Sequence, residues 1–538
     1  MKNKLSFNLF VVIAFIVIAT TGCQKGDLLS NPNAGSQNSV VPASLLLNHL
    51  TYSLATGGGV TDGRAGAVNE MPWNLPATFS QFHISNYQYY RGNNFYSWSN
   101  SVTNYDMLKY ANLLQVQATK SYGATPNVYS ALAKFFKAYC FIWLSQRVGD
   151  IPMSQAGDIA NLTPAYDNQH DVYKNSLALL DTANTQMVNL GTANANVLVG
   201  GDIYGLTNLQ WQKVINSYKL RVLMSLSKRS IDNADLMIPA QFATIFNNPA
   251  KYPVFTSNGD NVKFTFNAAF NPYPIFPGNQ PYNNYSNICK TYLDLTTSTN
   301  DPRTFIAATP SLAQLKSGKT IGNFSAYVGA DINSDLTTLS AMSGKDSFSF
   351  ANYSRYYSSI AGANAEPYIV IGFPELCFNI AEAINLGWVT SANSVTWYNK
   401  GIGASLAIYG LTQGQKLQIG DVAGTSLGFV TVDIDAFTNN PAVIYHGDDT
   451  IGRAQILVQK YIAFFENSGW EAFYNWRRTG VPNFSQGGIG IGTSGNRIPR
   501  RWQYPQDEVN YNSDNYLKAI TTQFAGKDDL TKDTWLTK

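Results

Sequence analysis

Between Val128 and Trp143 the apolar residues Leu132, Phe135, Phe136, Tyr139, Cys140 and Trp143 recur three and four positions apart. That spacing places them on one face of a helix. Similar stripes run from about 98 to 120, 168 to 190 and 208 to 229. Gly, Pro and Asn mark the intervals, as in YGATPN at 122–127 and VGDIP at 148–152. Helices of this length joined by short loops predict antiparallel pairs stacked as in helical repeats. No repeated sequence period accompanies them, so any repeat is structural and degenerate.

After about residue 250 the pattern changes. To about 370 there is little helical periodicity. YPVFTSNGDNVKFTF alternates weakly and predicts a short hairpin around Asn258-Gly259. Helical spacing returns at 374–387, 394–410, 451–467 and 469–478, and the Gly-rich stretch 487–495 reads as a loop. No linker separates these parts. The expectation is one domain over 41–538: a helical scaffold to about 247, an excursion at about 248–373, and C-terminal helices and loops from 374.

The N-terminus differs from all of this. Lys2 and Lys4 precede an apolar run from Leu9 to Ala19, too short to span a bilayer, followed by Thr20-Thr21-Gly22-Cys23. This reads as a signal peptide over 1–22. A cysteine behind small residues resembles a bacterial lipobox, with Cys23 as the lipid-bearing residue and 23–40 as a polar tether. Thr20 stands where a typical lipobox has Leu. Asp27 is compatible with an acidic surface-export signal. Cys140, Cys289 and Cys377 are odd in number and lack CxxC spacing, so they form neither a disulfide framework nor a zinc site.

Composition narrows the chemistry. Hydrophobic residues make up 45% of the chain, enough for a sizeable core, while charged residues make up only 13%, about half the usual ~25%. The net charge is +3 with no Lys/Arg run, so the footprint of a nucleic-acid binder is missing. A surface of Asn, Ser, Thr, Gln and Tyr suits neutral polar ligands.

Motifs that suggest catalysis lack the required context. Gly490, Gly492 and Gly495 match GxGxxG, but Pro499 follows where a helix would have to start. Gly424-Thr425-Ser426-Leu427-Gly428 matches the nucleophile elbow, yet strand-like FVTVD follows it instead of a helix. Asp331, Asn333 and Asp335 resemble the start of a calcium loop, with Leu336 and Met342 where Gly and Glu are needed. His446-Gly447-Asp448-Asp449 is a candidate metal group in a chain with only four histidines and no HExxH. No acid pair for glycoside cleavage is flagged by context. We therefore expect no cofactor, no metal and no catalytic residue.

Several blocks together resemble one family. They are Arg147-Val148-Gly149-Asp150-Ile151-Pro152; Glu375-Leu376-Cys377-Phe378 with Ala381-Glu382-Ala383; and Tyr398-Asn399-Lys400-Gly401-Ile402 leading to Tyr409-Gly410. Gln459-Lys460-Tyr461-Ile462 follows, then Trp476-Arg477-Arg478-Thr479-Gly480 and Arg500-Arg501-Trp502-Gln503-Tyr504-Pro505 with Glu508. Their order, together with the lipoprotein start, is similar to the SusD/RagB family of nutrient-binding outer-membrane lipoproteins of Bacteroidetes. The resemblance implies a mostly α, SusD-like fold: tetratricopeptide-like helix pairs plus an irregular, loop-rich region with short strands. It implies an outer-membrane location, lipid-anchored and facing outward. It also implies a SusC-type TonB-dependent barrel as partner, to which captured oligosaccharide, or in some members oligopeptide, is passed. For Arg477 and Arg478 the residues themselves suggest a fold-holding role: capping carbonyls and pairing with carboxylates such as Glu508.

Two stretches fit sugar recognition, in which rings cover CH-rich faces and amides or guanidinium groups take the hydroxyl edges. Residues 86–100 hold six rings without an aliphatic residue, and residues 266–287 hold six rings and four prolines. The expected ligand contacts are Tyr87, Tyr90, Arg91, Asn93 and Trp98 in the first stretch, and Tyr273, Phe276, Tyr282 and Asn283 in the second. About half of the first six rings are expected to pack instead. Two readings from other classes are a surface glycan hydrolase and a purely structural surface protein.

Overall fold

The stripe from Val128 forms a helix of 21 residues, 18 of them buried. Burial all round its surface places it inside the protein. Asn127 and Ser130 close a reciprocal capping box at its start. It runs to Val148, past the stripe's last residue, and stops at Gly149, whose φ is +103°. A Cβ on Gly149 would also lie 2.0 Å from the Gln523 amide oxygen, which accepts from the Asp150 backbone N–H at 3.0 Å. Only glycine meets both demands.

The computed structural model describes residues 40–56, 71–87, 105–123, 126–190, 201–267, 269, 273, 286–356, 366–486 and 497–538. Residues Ala43–Lys538 form one unit. Its first helices are α1 (Ala43–Thr56), α2 (Tyr105–Tyr122), α3 (Val128–Val148), α4 (Gln169–Leu190), α5 (Asn208–Ser225) and α6 (Ile238–Asn247). Each packs on the next in chain order, as the short connections predict. The central excursion holds α7 (Lys290–Ser298) and α8 (Leu336–Gly344), and α9 (Phe373–Asn385), α10 (Ser394–Ile408), α11 (Thr450–Ala463), α12 (Glu471–Thr479) and α13 (Ser513–Phe524) follow.

Helix α9 packs on α10 and α11 and also reaches back onto α5, where α12 joins it. Gly401 makes the α9–α10 approach close, since a Cβ there would lie 2.7 Å from the Phe378 ring. One core cluster runs from Ala43 to Leu536 and includes Trp211, Phe135, Tyr173 and Phe473. A second surrounds Phe378, Tyr398 and Phe437.

Among the described residues six short strands make three separate antiparallel pairs. They are β1 (His83–Ser85) with β3 (Ser286–Ile288), β2 (Val262–Phe264) with β4 (Tyr368–Ile371), and β5 (Lys416–Gly420) with β6 (Ser426–Thr431). The hairpin expected around Asn258-Gly259 is absent: Asn258–Asp260 form a 3-10 turn, and Val262–Phe264 pairs with Tyr368–Ile371 instead. Alternation identifies a strand but not its partner. The excursion is also more helical than its pattern predicts. Helices of nine residues, such as Lys290–Ser298 and Leu336–Gly344, are too short for an apolar stripe to repeat. Among the described residues no helix is long and apolar enough to cross a membrane.

Candidate ligand-binding surface

Strands β1 and β3 run antiparallel with Ser85 opposite Ser286 and His83 opposite Ile288. Ser85 is the last residue of β1 and Ser286 the first of β3. The stretch 86–100 therefore leaves the sheet where 266–285 arrives. Two aromatic segments that lie far apart in the sequence share one root.

Polar side chains fasten that root. Asn86 Nδ2 donates to Asn287 Oδ1 at 2.9 Å and to Ser343 Oγ at 2.6 Å, and the Ser340 hydroxyl donates to the Asn86 carbonyl. The Ser85 hydroxyl donates to the Tyr87 carbonyl at 2.7 Å. Ser340 and Ser343 lie on α8, so this helix supports the start of the first stretch. Asn86 is only 5% exposed, whereas Tyr87, the next residue, is 44% exposed. The chain passes from anchor to open surface in one step.

The Tyr87 side chain is thus open to solvent. Tyr273 is not: it is 1% exposed, with its ring edge-to-face to Trp73 at 4.7 Å and to Phe266 at 5.2 Å. The expectation that Tyr273 touches ligand is corrected, because Trp73, from another part of the chain, and Phe266 draw its ring into the core. Tyr90, Arg91, Asn93, Trp98, Phe276, Tyr282, Asn283 and Cys23 lie outside the described residues. Asn86 and Asn287, which tie the two stretches together, were not among the residues expected from sequence. Nothing in either stretch alone points to a pairing across so long an interval.

A serine, a histidine and a glutamate meet beneath this root. Ser286 Oγ lies 2.7 Å from His83 Nδ1, and His83 Nε2 contacts the Glu466 carboxylate. The order matches that of a nucleophile, its base and an orienting acid. Yet Ser286 is fully buried, His83 and Glu466 are almost so, and the imidazole stacks on Phe465. No substrate carbonyl reaches this hydroxyl, so the three groups act as a clip between β1, β3 and the chain after α11.

Of the other motif candidates, Gly490, Gly492 and Gly495 lie outside the described residues, and the rest are structural. Ser426 opens β6 in a hairpin, away from any strand-to-helix turn. Asp335 caps α8 through the Thr338 N–H at 2.8 Å, and Asp331 accepts from the Asn333 N–H. Asp449 caps α11 through the Gly452 N–H and holds His446 Nδ1 at 2.7 Å. Among the described residues no three His, Cys, Asp or Glu are grouped to hold a metal. Cys140, Cys289 and Cys377 are buried, and burial pushes the Cys377 thiol up to about 12.

The recurrent blocks meet inside the protein. Arg478 forms a two-point pair with Glu382, and Arg221 does the same with Glu375. Arg477 donates to the carbonyls of Arg500 and Gln146, both at 2.7 Å. The Arg147 guanidinium lies 3.5 Å from the Trp143 ring centre and 4.9 Å from that of Trp502. The fold-holding role of the arginines stands, but the carboxylate is Glu382. Glu508 accepts instead from the Tyr166 hydroxyl and from Asn512 Nδ2.

Comparison with known proteins agrees with this arrangement. The SusD-like family model, described as starch-binding and associating with the outer membrane, matches residues 34–505. A SusD homologue from Bacteroides fragilis shares 27% identity at a TM-score of 0.77, over 92% of this chain and 100% of that one. Another from the same species shares 29% identity at a TM-score of 0.72, over 92% and 99%. A chitin-binding SusD homologue from Flavobacterium johnsoniae has the same fold at 20% identity and a TM-score of 0.64, over 92% and 96%. A search of curated protein sequences gives no significant match. The helical pairs, the buried blocks and the matched length make this chain a member of the SusD-like family of nutrient-binding proteins.

Proposed function

We propose that the protein captures oligosaccharides at the cell surface and passes them to a SusC-type TonB-dependent outer-membrane transporter. The observation that carries this reading is the common root of the two aromatic stretches, with Ser85 opposite Ser286. It allows rings from both stretches to face one ligand. Tyr87, Tyr90, Trp98, Phe276 and Tyr282 supply faces for sugar rings, and Arg91, Asn93 and Asn283 take hydroxyl edges. Each hydrogen bond adds about 0.5–1.5 kcal/mol, so affinity is spread over many contacts. Modest affinity of that kind suits cargo that must be released to a transporter.

The chitin-binding relative supports a glycan as cargo. Cys23 is proposed as the lipidated residue, with 24–40 as the tether that lets the domain sit over the barrel. No bond is broken in this account: the protein binds and releases. Titration of the purified chain with starch- and chitin-derived oligosaccharides, and with oligopeptides, tests it. Binding to a glycan without its cleavage supports the reading. Binding to peptides alone replaces the cargo, and release of sugar by the purified protein overturns the non-catalytic role.

A further inference from the structure

A cleft of about 440 Å3 opens between α4 and α6, both of which pack on α5. Its size falls in the range of small-ligand sites, about 300–1,000 Å3. Among the described residues none from either aromatic stretch lines it. Lys174, Leu177, Ala178 and Asp181 lie three and four positions apart on one stripe of α4 and form one wall. Ala240, Gln241, Thr244 and Ile245 form the facing wall on α6. Ala178 and Ala240 are small, which keeps the space open, and the buried Leu177, Leu236 and Ile245 make its base apolar.

The two ends of the cleft differ in charge. Lys174 and Asp181 stand seven residues apart, about 10 Å along α4. At the first end Asp235 is engaged on both oxygens, by Lys174 Nζ at 2.9 Å and by His170 Nε2 at 3.2 Å. The Lys174 ammonium has that one protein partner and keeps two N–H groups for others. Its side chain is 53% exposed. At the second end Lys219, with a side chain only 5% exposed, takes Asp181 Oδ1 from below. Asp181 is 49% exposed, and its Oδ2 has no protein partner among the described residues. Tyr252 closes this end, where the Asn184 amide donates to the Lys251 carbonyl at 3.4 Å.

Donors are thus left over at one end and an acceptor at the other, with an aliphatic base between. A ligand that completes both ends carries a carboxylate for Lys174, an ammonium for Asp181 and an apolar group in the middle. A sugar offers neither charge, and the aliphatic base gives it no ring to stack on. A fatty acid leaves Asp181 bare. A single amino acid carries both charges on one carbon and is too short. The ends of an extended tripeptide lie about 10 Å apart, at about 3.3 Å per residue.

We propose that the α4–α6 cleft binds short zwitterionic peptides, with the C-terminal carboxylate at Lys174, the N-terminal ammonium at Asp181 and the central side chain over Leu177 and Ala178. The site lies on the helical scaffold, and the proposal does not depend on the cargo of the aromatic surface.

Ala-Leu-Ala with free termini is the probe, titrated into the full chain by calorimetry. A Kd of about 1 mM is expected, since one apolar side chain is covered and both ion contacts are partly exposed. The same peptide with an acetylated N-terminus and an amidated C-terminus is expected to bind about tenfold more weakly, having lost both contacts. Lys174→Gln is expected to weaken the free peptide about fivefold with Tm unchanged. Asp181→Asn should do the same from the other end; since Lys219 loses its partner there, Lys174→Gln decides if that variant does not fold. No binding of the free peptide, equal binding of the blocked one, or an affinity unchanged by Lys174→Gln overturns the proposal. Glycan titration of the same samples reports on the aromatic surface separately, so the two readings fail independently.

Discussion

Tyr273 and Tyr87 show how little separates a core ring from an exposed ring in this chain. Both sit in polar, aromatic-rich stretches, and ring density alone gives them the same role. Trp73 and Phe266 pull Tyr273 inside, while Tyr87 follows the buried anchor Asn86 and stays open. Tyr273→Ala is expected to cost about 3–5 kcal/mol in denaturant unfolding, as for other buried aromatics. Tyr87→Ala should leave unfolding nearly unchanged, within about 0.5 kcal/mol. Equal costs would put both rings in the core. The difference was illegible in the sequence because Trp73 lies some two hundred positions away from Tyr273.

Glu471 gives a second prediction at this scale. Burial raises its carboxyl from an ordinary value of 4.5 to about 7. The folded protein thus holds this proton more tightly than the unfolded chain does. Below pH 4.5 the group is neutral in both states; between 4.5 and 7 the unfolded chain ionises first, and stability is lost as pH rises through that window. Measured against Glu471→Gln by urea unfolding, wild-type stability should decline over this range and level off above it. Parallel pH curves for the two proteins would show that Glu471 is not perturbed.

Among the elements, the helices were the most legible part. The stripe from Val128, the run at 374–387 and that at 394–410 correspond to Val128–Val148, Phe373–Asn385 and Ser394–Ile408. Their stripes are long, and two of the three open on side-chain caps, the Asn127–Ser130 box and Asn393. Strand pairing was illegible: β1 finds β3, and β2 finds β4, across long intervals that no local pattern specifies. The β1–β3 pair is the element on which the proposed binding surface stands. Asn86→Ala removes both donors that reach Asn287 and Ser343. It is expected to cost about 2 kcal/mol, since two buried acceptors lose their partner, and to weaken glycan binding in proportion as the root loosens. Retained affinity in a destabilised Asn86→Ala protein would separate the root from the site.

For the molecule as a whole, the sequence blocks that resemble the family proved to be the interior joint between the helical scaffold and the C-terminal helices. Their Arg, Glu and Trp residues hold the fold. In the proposed function the binding chemistry falls to loops that the blocks do not include, so the blocks identify the family and leave the cargo open. The central claim is that rings on the jointly rooted stretches hold a glycan. Isothermal titration of wild type and of a Tyr90→Ala/Trp98→Ala variant against starch- and chitin-derived oligosaccharides tests it most directly. Each stacked ring is worth about 0.5–1.5 kcal/mol, so the account predicts glycan binding by wild type and a roughly tenfold or greater loss in the variant, with Tm unchanged. Equal affinity in the two proteins, or no glycan bound by wild type, would contradict it.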